Sequence, residues 1–392
     1  MILQHIASKL NIATYPEALN EISDWDSVPD ISNLQWLEET ENTYHVLGKY
    51  YPLVCQAVQQ LQGDKNRYHW GMTVAKYLTF CTVPKAREIP MPQRNGTLIG
   101  DFLPLLILLT QLPAGVAECR RRKMPEDMIR RNLDHIVDGI SIVEYRTGKP
   151  AIDLTYFRWL VKFCKCTLFN SNNFNFEIRD FPSKTFVLQN KISGELFPVL
   201  QNSRIHHSGK ILCSAGCTEE DGCFRAQFDE TDISFIAHPC VNGLVSSELQ
   251  EFPKEQFHLI LRPGDTVLSV HIPRGTDISV RHAAESLRNG FNDAVKYYPE
   301  YDIKALYCHS WLLDPSLSKL LSPEAKIPQF GNMFARFPAI SNGMEVFSFV
   351  FPHPMPFEEL YENTSLQRSI KQHYLSGEHI LAFSGIVLPE QL

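Results

Sequence analysis

Positive charge is in short supply: 37 Lys and Arg stand against 44 Asp and Glu, which leaves a formal charge of −7 with His neutral. That balance excludes a protein that grips nucleic acid by bulk positive charge. Cysteine is sparse too, ten in 392 residues, too few for a disulfide scaffold. In the cytoplasm, where the chain is expected to stay, these thiols read mostly as small core residues. No apolar run approaches the roughly 20 residues that cross a bilayer. The strongest, Phe102 to Leu112, is interrupted by Pro104, Thr110 and Gln111 and reads as a buried helix. The segment from Met1 to Thr14 lacks a basic flank followed by an apolar stretch, and it lacks the Arg-rich pattern of a transit peptide. Internal repeats and low-complexity tracts are missing as well. With 44% apolar and 21% charged residues, the chain can bury a large core. At roughly 100 to 200 residues per domain it has the length of about two.

From residue 34 to about 178 the pattern is helical, with apolar residues recurring at three and four, as at Leu34, Leu37, Val54, Val58 and Leu61. Pro84, Pro90 and Pro92 mark a connection, and Pro125 with Glu126 and Asp127 opens another helix. The segment from Tyr156 to Leu168 closes the series, and the amides from Asn170 to Asn173 break it. After Pro182 the texture changes to short apolar runs between turn residues: Phe186–Leu188, Leu196–Leu200, Ile211–Ala215, Phe224–Phe228 and Ile233–Ala237, read as antiparallel strands. A strand over Val267–Ile272, a long amphipathic helix over Asp277–Tyr298 and a strand over Ala305–Cys308 follow with short joints. That succession implies parallel pairing through a right-handed crossover. Beyond it the pattern gives a short helix at Pro315–Leu321, a strand at Val346–Phe351, a helix at Thr364–Leu375 and a strand at Ile380–Val387. The fold class is therefore α/β (α+β), a helical domain over 1–180 followed by a mixed sheet over 181–392.

The chemistry-bearing residues gather near the two parallel strands. His271 and His309 lie near their C-terminal ends, where such sheets bind ligands, and imidazole is the side chain best matched to proton transfer near neutral pH. Each is also an ordinary candidate for a packed structural histidine. Ser310 offers a hydroxyl to a ligand or caps the turn into the Pro315 helix with Asp314, and Trp311 walls a pocket or fills the core. The run Cys308-His309-Ser310 invites a cysteine nucleophile, but adjacent strand residues face opposite sides, so His309 does not easily serve Cys308. His206, His207, Cys213, Cys217 and Cys223 raise zinc, yet they form no paired Cys-x-x-Cys knuckle, and no metal is expected. Arg120, Arg121, Arg122, Lys123, Arg130 and Arg131 make one basic cluster, either a solvated helix end or a dock for an anion.

Several blocks carry a family resemblance: Gly264-Asp265-Thr266-Val267-Leu268-Ser269-Val270-His271-Ile272-Pro273-Arg274-Gly275, then Ser310-Trp311-Leu312-Leu313-Asp314-Pro315, then Thr364-Ser365-Leu366-Gln367-Arg368. With Ala237-His238-Pro239 and the region from Trp159 to Glu177, the chain resembles bacterial two-domain acyltransferase-like proteins over roughly residues 40 to 390. These pair a helical N-acyltransferase N-terminal domain with a GNAT-like C-terminal domain. The resemblance implies acyl transfer from acyl-CoA, acetyl-CoA or an acyl-carrier thioester to an amine or hydroxyl acceptor. The pantetheine arm would enter a splay between the two parallel strands. It places Val270, Ile272, Arg274, Gly275, Thr276 and Trp311 at the cofactor, with the pyrophosphate at the helix start near Arg274 to Ile278, and His271 and Ser310 in the chemistry. His271 would act as base or proton relay and Ser310 would assist the leaving thiolate. The pyrophosphate loop departs from the usual GNAT pattern, with a single Gly, a Pro273 that supplies no N–H and an acidic Asp277. No nucleic-acid or membrane partner is implied. The contrasting reading is a GNAT-like protein that binds a ligand or partner in the same cleft without catalysis.

Overall fold

The computed structural model describes residues 2–182, 184–351 and 355–392. It divides into two compact units, Met1–Phe169 and Asn170–Leu392.

The first unit is helical, and four of its helices start where short polar side chains hold the first free N–H groups. Asn33 accepts from Gln35 and Trp36 ahead of helix Leu34–Tyr44, Asp64 from Arg67 ahead of Lys65–Phe80, and Thr97 from Gly100 ahead of Leu98–Leu109. Asp153 does the same for helix Leu154–Cys164. The long helix Glu126–Thr147 ends on Gly148 in the left-handed region, φ 72°. Helix Leu98–Leu109 is buried at every position from Ile99 onward and packs against helices Tyr51–Gly63 and Lys65–Phe80. By length and composition the stretch Leu98–Arg121 is apolar enough to cross a membrane, but 78% of its most apolar part lies inside the unit. It is the core, and each Leu wholly buried there contributes about 1.5–3 kcal/mol.

The second unit carries the strands. A six-stranded sheet contains β1 (Leu168–Ser171) and β2 (Phe174–Asp180). Small antiparallel sheets follow, built from β3 (Thr185–Asn190), β4 (Leu196–Leu200), β5 (Arg204–His206), β6 (Cys223–Arg225), β7 (Phe228–Glu230), β8 (Ser234–Ala237), β9 (Cys240–Val241), β10 (Leu244–Val245), β11 (Gln250–Pro253) and β12 (Phe257–Leu261). The main sheet then resumes with β13 (Thr266–His271), β14 (Leu306–Ser310), β15 (Ala335–Pro338) and β16 (Phe383–Val387), in the order β1-β2-β13-β14-β16-β15. β13 and β14 are parallel, joined through helix Val280–Tyr297 as the sequence predicts.

Alternation gives the sheet two faces. One carries Phe176, Leu268, Val270, Leu306 and Cys308 and receives helix Val280–Tyr297, whose Gly290 lies so close to the Phe176 ring that a Cβ there would sit 2.1 Å from it. The other face is apolar at one end, where Val267, Tyr307, Phe337 and Ile386 pack with residues of the small sheets such as Val187 and Leu261. At its other end it is polar.

Several expectations change. The segment 170–180, placed with the helical domain, forms β1 and β2 and belongs to the second unit, because Phe174 and Phe176 alternate with Asn175 and Glu177 along a sheet strand. Val346–Phe351 is not a strand: Phe347–Val350 is a helical turn whose Phe347 packs on Phe351, Phe357 and Tyr374. Ile211–Ala215 is a turn with one isolated bridge, Ile211 to Ile205. Phe224–Phe228 divides into β6 and β7. The strands β11, β12 and β15 have no counterpart in the sequence reading.

Candidate functional site

The ladder between β13 and β14 stops at the pair Val270–Cys308. β13 nevertheless stays paired with β2 as far as His271, and β14 with β16 as far as Ser310. The two parallel strands therefore part at their C-terminal ends while their outer neighbours hold them in the sheet. His271 and His309 are the next residue on each strand after the last rung. By alternation both lie on the polar face, so they flank the opening from its two sides.

Each imidazole has a different partner. His271, half-buried, places Nε2 3.1 Å from Oε2 of the buried Glu177 on β2. A carboxylate accepts, so Nε2 carries the proton in neutral His271 and Nδ1 carries the lone pair. His309 places Nδ1 3.2 Å from Oγ of Ser384 on β16, and Ser384 Oγ lies 2.9 Å from the Tyr307 hydroxyl. Burial is the main force that lowers the His309 pKa, with Arg179 and His271 acting in the same direction against Glu345. Arg179 on β2 also stands 5.7 Å from the centroid of the Tyr307 ring. Glu345 is tied to the same end of the sheet: Ser341 Oγ donates to its carboxylate at 2.9 Å and accepts from Ala382 N, just ahead of β16.

Ser310 does not join this group. It falls on the opposite face from His271, and its hydroxyl accepts from Leu312 N at 3.2 Å, capping the turn Trp311–Leu313. Asp314 completes that turn, accepting from Ser316 N at 2.8 Å and from Leu381 N at 2.6 Å while 2% exposed. Trp311, expected at the cofactor, packs in a core with Leu317, Val346, Ile370 and Tyr374. Cys308 is buried, on the face away from His309, and burial pushes its thiol up to about 12. Such a thiol is not an activated nucleophile.

The loop after β13 leads from the strand end to the start of helix Val280–Tyr297. Val270 is the last paired residue, and Ile272 is half-buried beyond it. Pro273 to Thr276 make a turn, Thr276 N donating to Pro273 O at 3.3 Å, with Gly275 at φ 81° and Arg274 exposed. Neither Thr276 nor Asp277 caps the helix. Asp277 accepts from Ser279 N at 3.0 Å and pairs with Lys326 at 2.8 Å and His282 at 2.8 Å, and Lys326 is the main cause that holds its carboxyl well below the usual range. The N-cap residue Ser279 accepts no backbone N–H of the first turn of Val280–Tyr297; its hydroxyl lies 3.1 Å from Asp277 Oδ2 and 2.9 Å from His282 Nδ1. An uncapped N-terminus of an eighteen-residue helix faces this loop with its N–H groups and the positive end of its dipole.

The remaining candidates lie elsewhere. The five arginines of the basic cluster are engaged locally by four carboxylates: Arg120 pairs with Glu126, Arg121 and Arg122 share Glu118, Arg130 pairs with Asp134 and Arg131 with Asp127. Cys213 and Cys223 are exposed and Cys217 is buried, and among the described residues no group of three or more His, Cys, Asp and Glu is set to hold a metal. Sequence reasoning missed Glu177, Ser384 and Glu345. The one signal for Glu177 was a charge between Phe176 and Ile178 in an alternating run.

Residues 198–387 match the model of the GNAT-like C-terminal domain family. A search of curated proteins returns no match. Among solved structures, an acyltransferase mutant in complex with octanoyl-CoA is 14% identical, with 99% of each chain covered and a TM-score of 0.65. An acyltransferase in complex with decanoyl-CoA and teicoplanin is 14% identical, covering 98% of this chain and 99% of that one at a TM-score of 0.65. One in complex with decanoyl-CoA alone is 15% identical, with the same coverage and a TM-score of 0.64. At such identities the likeness is one of fold, and it extends over both units.

Proposed function

We propose, for a chain that belongs by fold and by its GNAT-like C-terminal domain to the two-domain acyltransferase-like family, that it transfers an acyl group from acyl-CoA to an amine or hydroxyl acceptor at the open end of β13 and β14. The observation that carries this reading is the parting of the parallel strands after Val270 and Cys308 beside an imidazole held by a buried carboxylate. The pantetheine arm lies along the backbone of Val270 to Ile272, and the pyrophosphate meets the turn Pro273–Thr276 and the uncapped helix start. Arg274 supplies a charge-assisted bond to phosphate. Acyl-CoA binding by proteins of this fold supports the assignment of the thioester.

In the chemistry, His271 Nδ1 takes the proton of the attacking nucleophile, and Glu177 holds the ring in that tautomer and balances the charge it gains. Glu177 is a positioning residue. The proton then passes to the departing thiolate, a task that Ser310 cannot perform from the other face.

Isothermal titration with octanoyl-CoA, followed by release of CoA thiol in the presence of a panel of primary amines and alcohols, tests the reading. Replacing His271 by Gln is expected to leave the melting temperature and the affinity for octanoyl-CoA near those of the parent. Turnover should fall about 10²- to 10⁴-fold. No binding at millimolar octanoyl-CoA would overturn the assignment. So would a His271→Gln protein that melts lower yet turns over normally, since His271 would then be structural.

A further inference from the structure

We propose that His309 is the oxyanion donor of this transfer: its Nε2–H hydrogen-bonds the carbonyl oxygen of a thioester lodged where β13 and β14 part, and Ser384 and Tyr307 fix the ring in the tautomer that can do so. The inference rests on the acyl-transfer reading and adds a second, distinct task for the opposite side of the opening.

Position comes first. His271 and His309 are the first residues past the last rung between β13 and β14, on one face, so a carbonyl emerging between the strands has one imidazole on each side. Their environments differ. One imidazole is held by a carboxylate, which favours the gain of a proton; the other is held by a hydroxyl.

The tautomer follows from the buried donors. Tyr307 is 4% exposed and Ser384 2%, so each hydroxyl proton must be given to an acceptor or its desolvation is left uncompensated. The acceptor the chain offers the Tyr307 proton is Ser384 Oγ, at 2.9 Å. With that position taken, Ser384 gives its own proton to His309 Nδ1, at 3.2 Å. The imidazole proton therefore sits on Nε2, on the exposed residue's remaining nitrogen. Because the surroundings of His309 favour its neutral form, it offers this N–H without competing with His271 for the nucleophile's proton.

The step balances. The acceptor nitrogen or oxygen bonds to the carbonyl carbon, and the C=O π pair moves onto oxygen, where it is held by Nε2–H without proton transfer. The acceptor's proton goes to His271 Nδ1. The oxygen pair then re-forms C=O as the C–S bond breaks, and the proton on His271 passes to the thiolate. Acyl-acceptor and CoA thiol are the products, and both histidines end neutral.

The test uses the full-length protein and octanoyl-CoA labelled with ¹³C at the carbonyl, and it needs no acceptor. Calorimetry first establishes binding, and infrared difference spectroscopy then reads the bound C=O stretch. In the parent protein the band is expected to fall below its solution frequency; His309→Ala should return it toward the solution value with binding kept. His309→Gln, which keeps an N–H donor but cannot carry a proton, should retain most of the shift. Ser384→Ala should weaken it by freeing the tautomer. With any acceptor found active, kcat should fall about 10²- to 10³-fold for His309→Ala and less for His309→Gln, at little change in KM. Bound octanoyl-CoA whose carbonyl band is the same in parent and His309→Ala overturns the oxyanion role and leaves the acyl-transfer reading standing. His309→Gln as inactive as His309→Ala would make His309 a proton carrier and overturn it too. Absence of octanoyl-CoA binding in the parent defeats the acyl-transfer reading itself and this inference with it.

Discussion

His309 is exposed at the end of β14, yet the protein packed around it lowers its pKa below the ordinary 6.5, with burial as the first cause. Neutral imidazole is therefore favoured in the folded state, while the unfolded chain takes up a proton more readily. The sign follows from linkage: between the folded and unfolded pKa values the unfolded state binds more protons, so stability rises with pH through that window and is level above about 6.5. His69 in the first unit, lowered by burial alone, acts in the same direction. Carboxylates whose pKa is lowered, such as Asp64 and Asp277, lose their contribution only at more acidic pH, below the ordinary carboxylate range. The expected outcome is a melting temperature that drops between pH 7.5 and 5.5 in the parent and drops less in His309→Gln, where His69 still contributes in the same direction. Because part of the His309 ring meets solvent, the difference is modest. An equal drop in both proteins would mean that His309 titrates as it does in the unfolded chain.

At the scale of elements, the helix Val280–Tyr297 shows what the sequence made legible. Its apolar face, with Ala283, Leu287 and Ala294 buried, its short joints and the β-rich runs on either side specify a parallel pair directly. Gly290 on that face also has a reason: its Cβ would meet the Phe176 ring at 2.1 Å, so glycine lets the helix lie against the sheet. Ala normally gains up to about 1 kcal/mol over Gly inside a helix. Here Gly290→Ala is expected to destabilise by about 1–3 kcal/mol through overpacking, measured by urea denaturation, and Phe176→Ala in the same chain should recover part of the loss. A neutral or stabilising Gly290→Ala would show that the two elements can separate at little cost. Other elements were not legible because their information is not local. Phe347–Val350 reads as a strand from its apolar residues, but its place among Phe351, Phe357 and Tyr374 makes it a helical turn. The site was half legible for the same reason. His271 could be found from its position at a strand end, whereas Glu177 stands 94 residues earlier in the chain and meets it only through the β2–β13 register. Of the two roles the sequence offers Ser310, the structure shows the turn cap, since alternation along β14 puts it on the face opposite His271.

At the scale of the whole molecule, each unit has its own core, and the chain passes between them inside β1. A boundary at 180, drawn from the change of texture after Pro182, would cut β1 and β2 away from the sheet they build. β2 is paired with β13 along all six residues from Thr266 to His271. Without it β13 becomes an exposed edge, a template for pairing with other chains. Helix Val280–Tyr297 would also lose the Phe176 ring that covers Gly290, and His271 would lose Glu177. A fragment spanning 168–392 is therefore expected to be soluble and to unfold in one cooperative urea transition, whereas 181–392 should aggregate or melt without a transition. Soluble yield and the sharpness of that transition are the measurements. If 181–392 folds as cooperatively as 168–392, then β2 is an ornament on the sheet, and the carboxylate that it brings to His271 loses its structural guarantee.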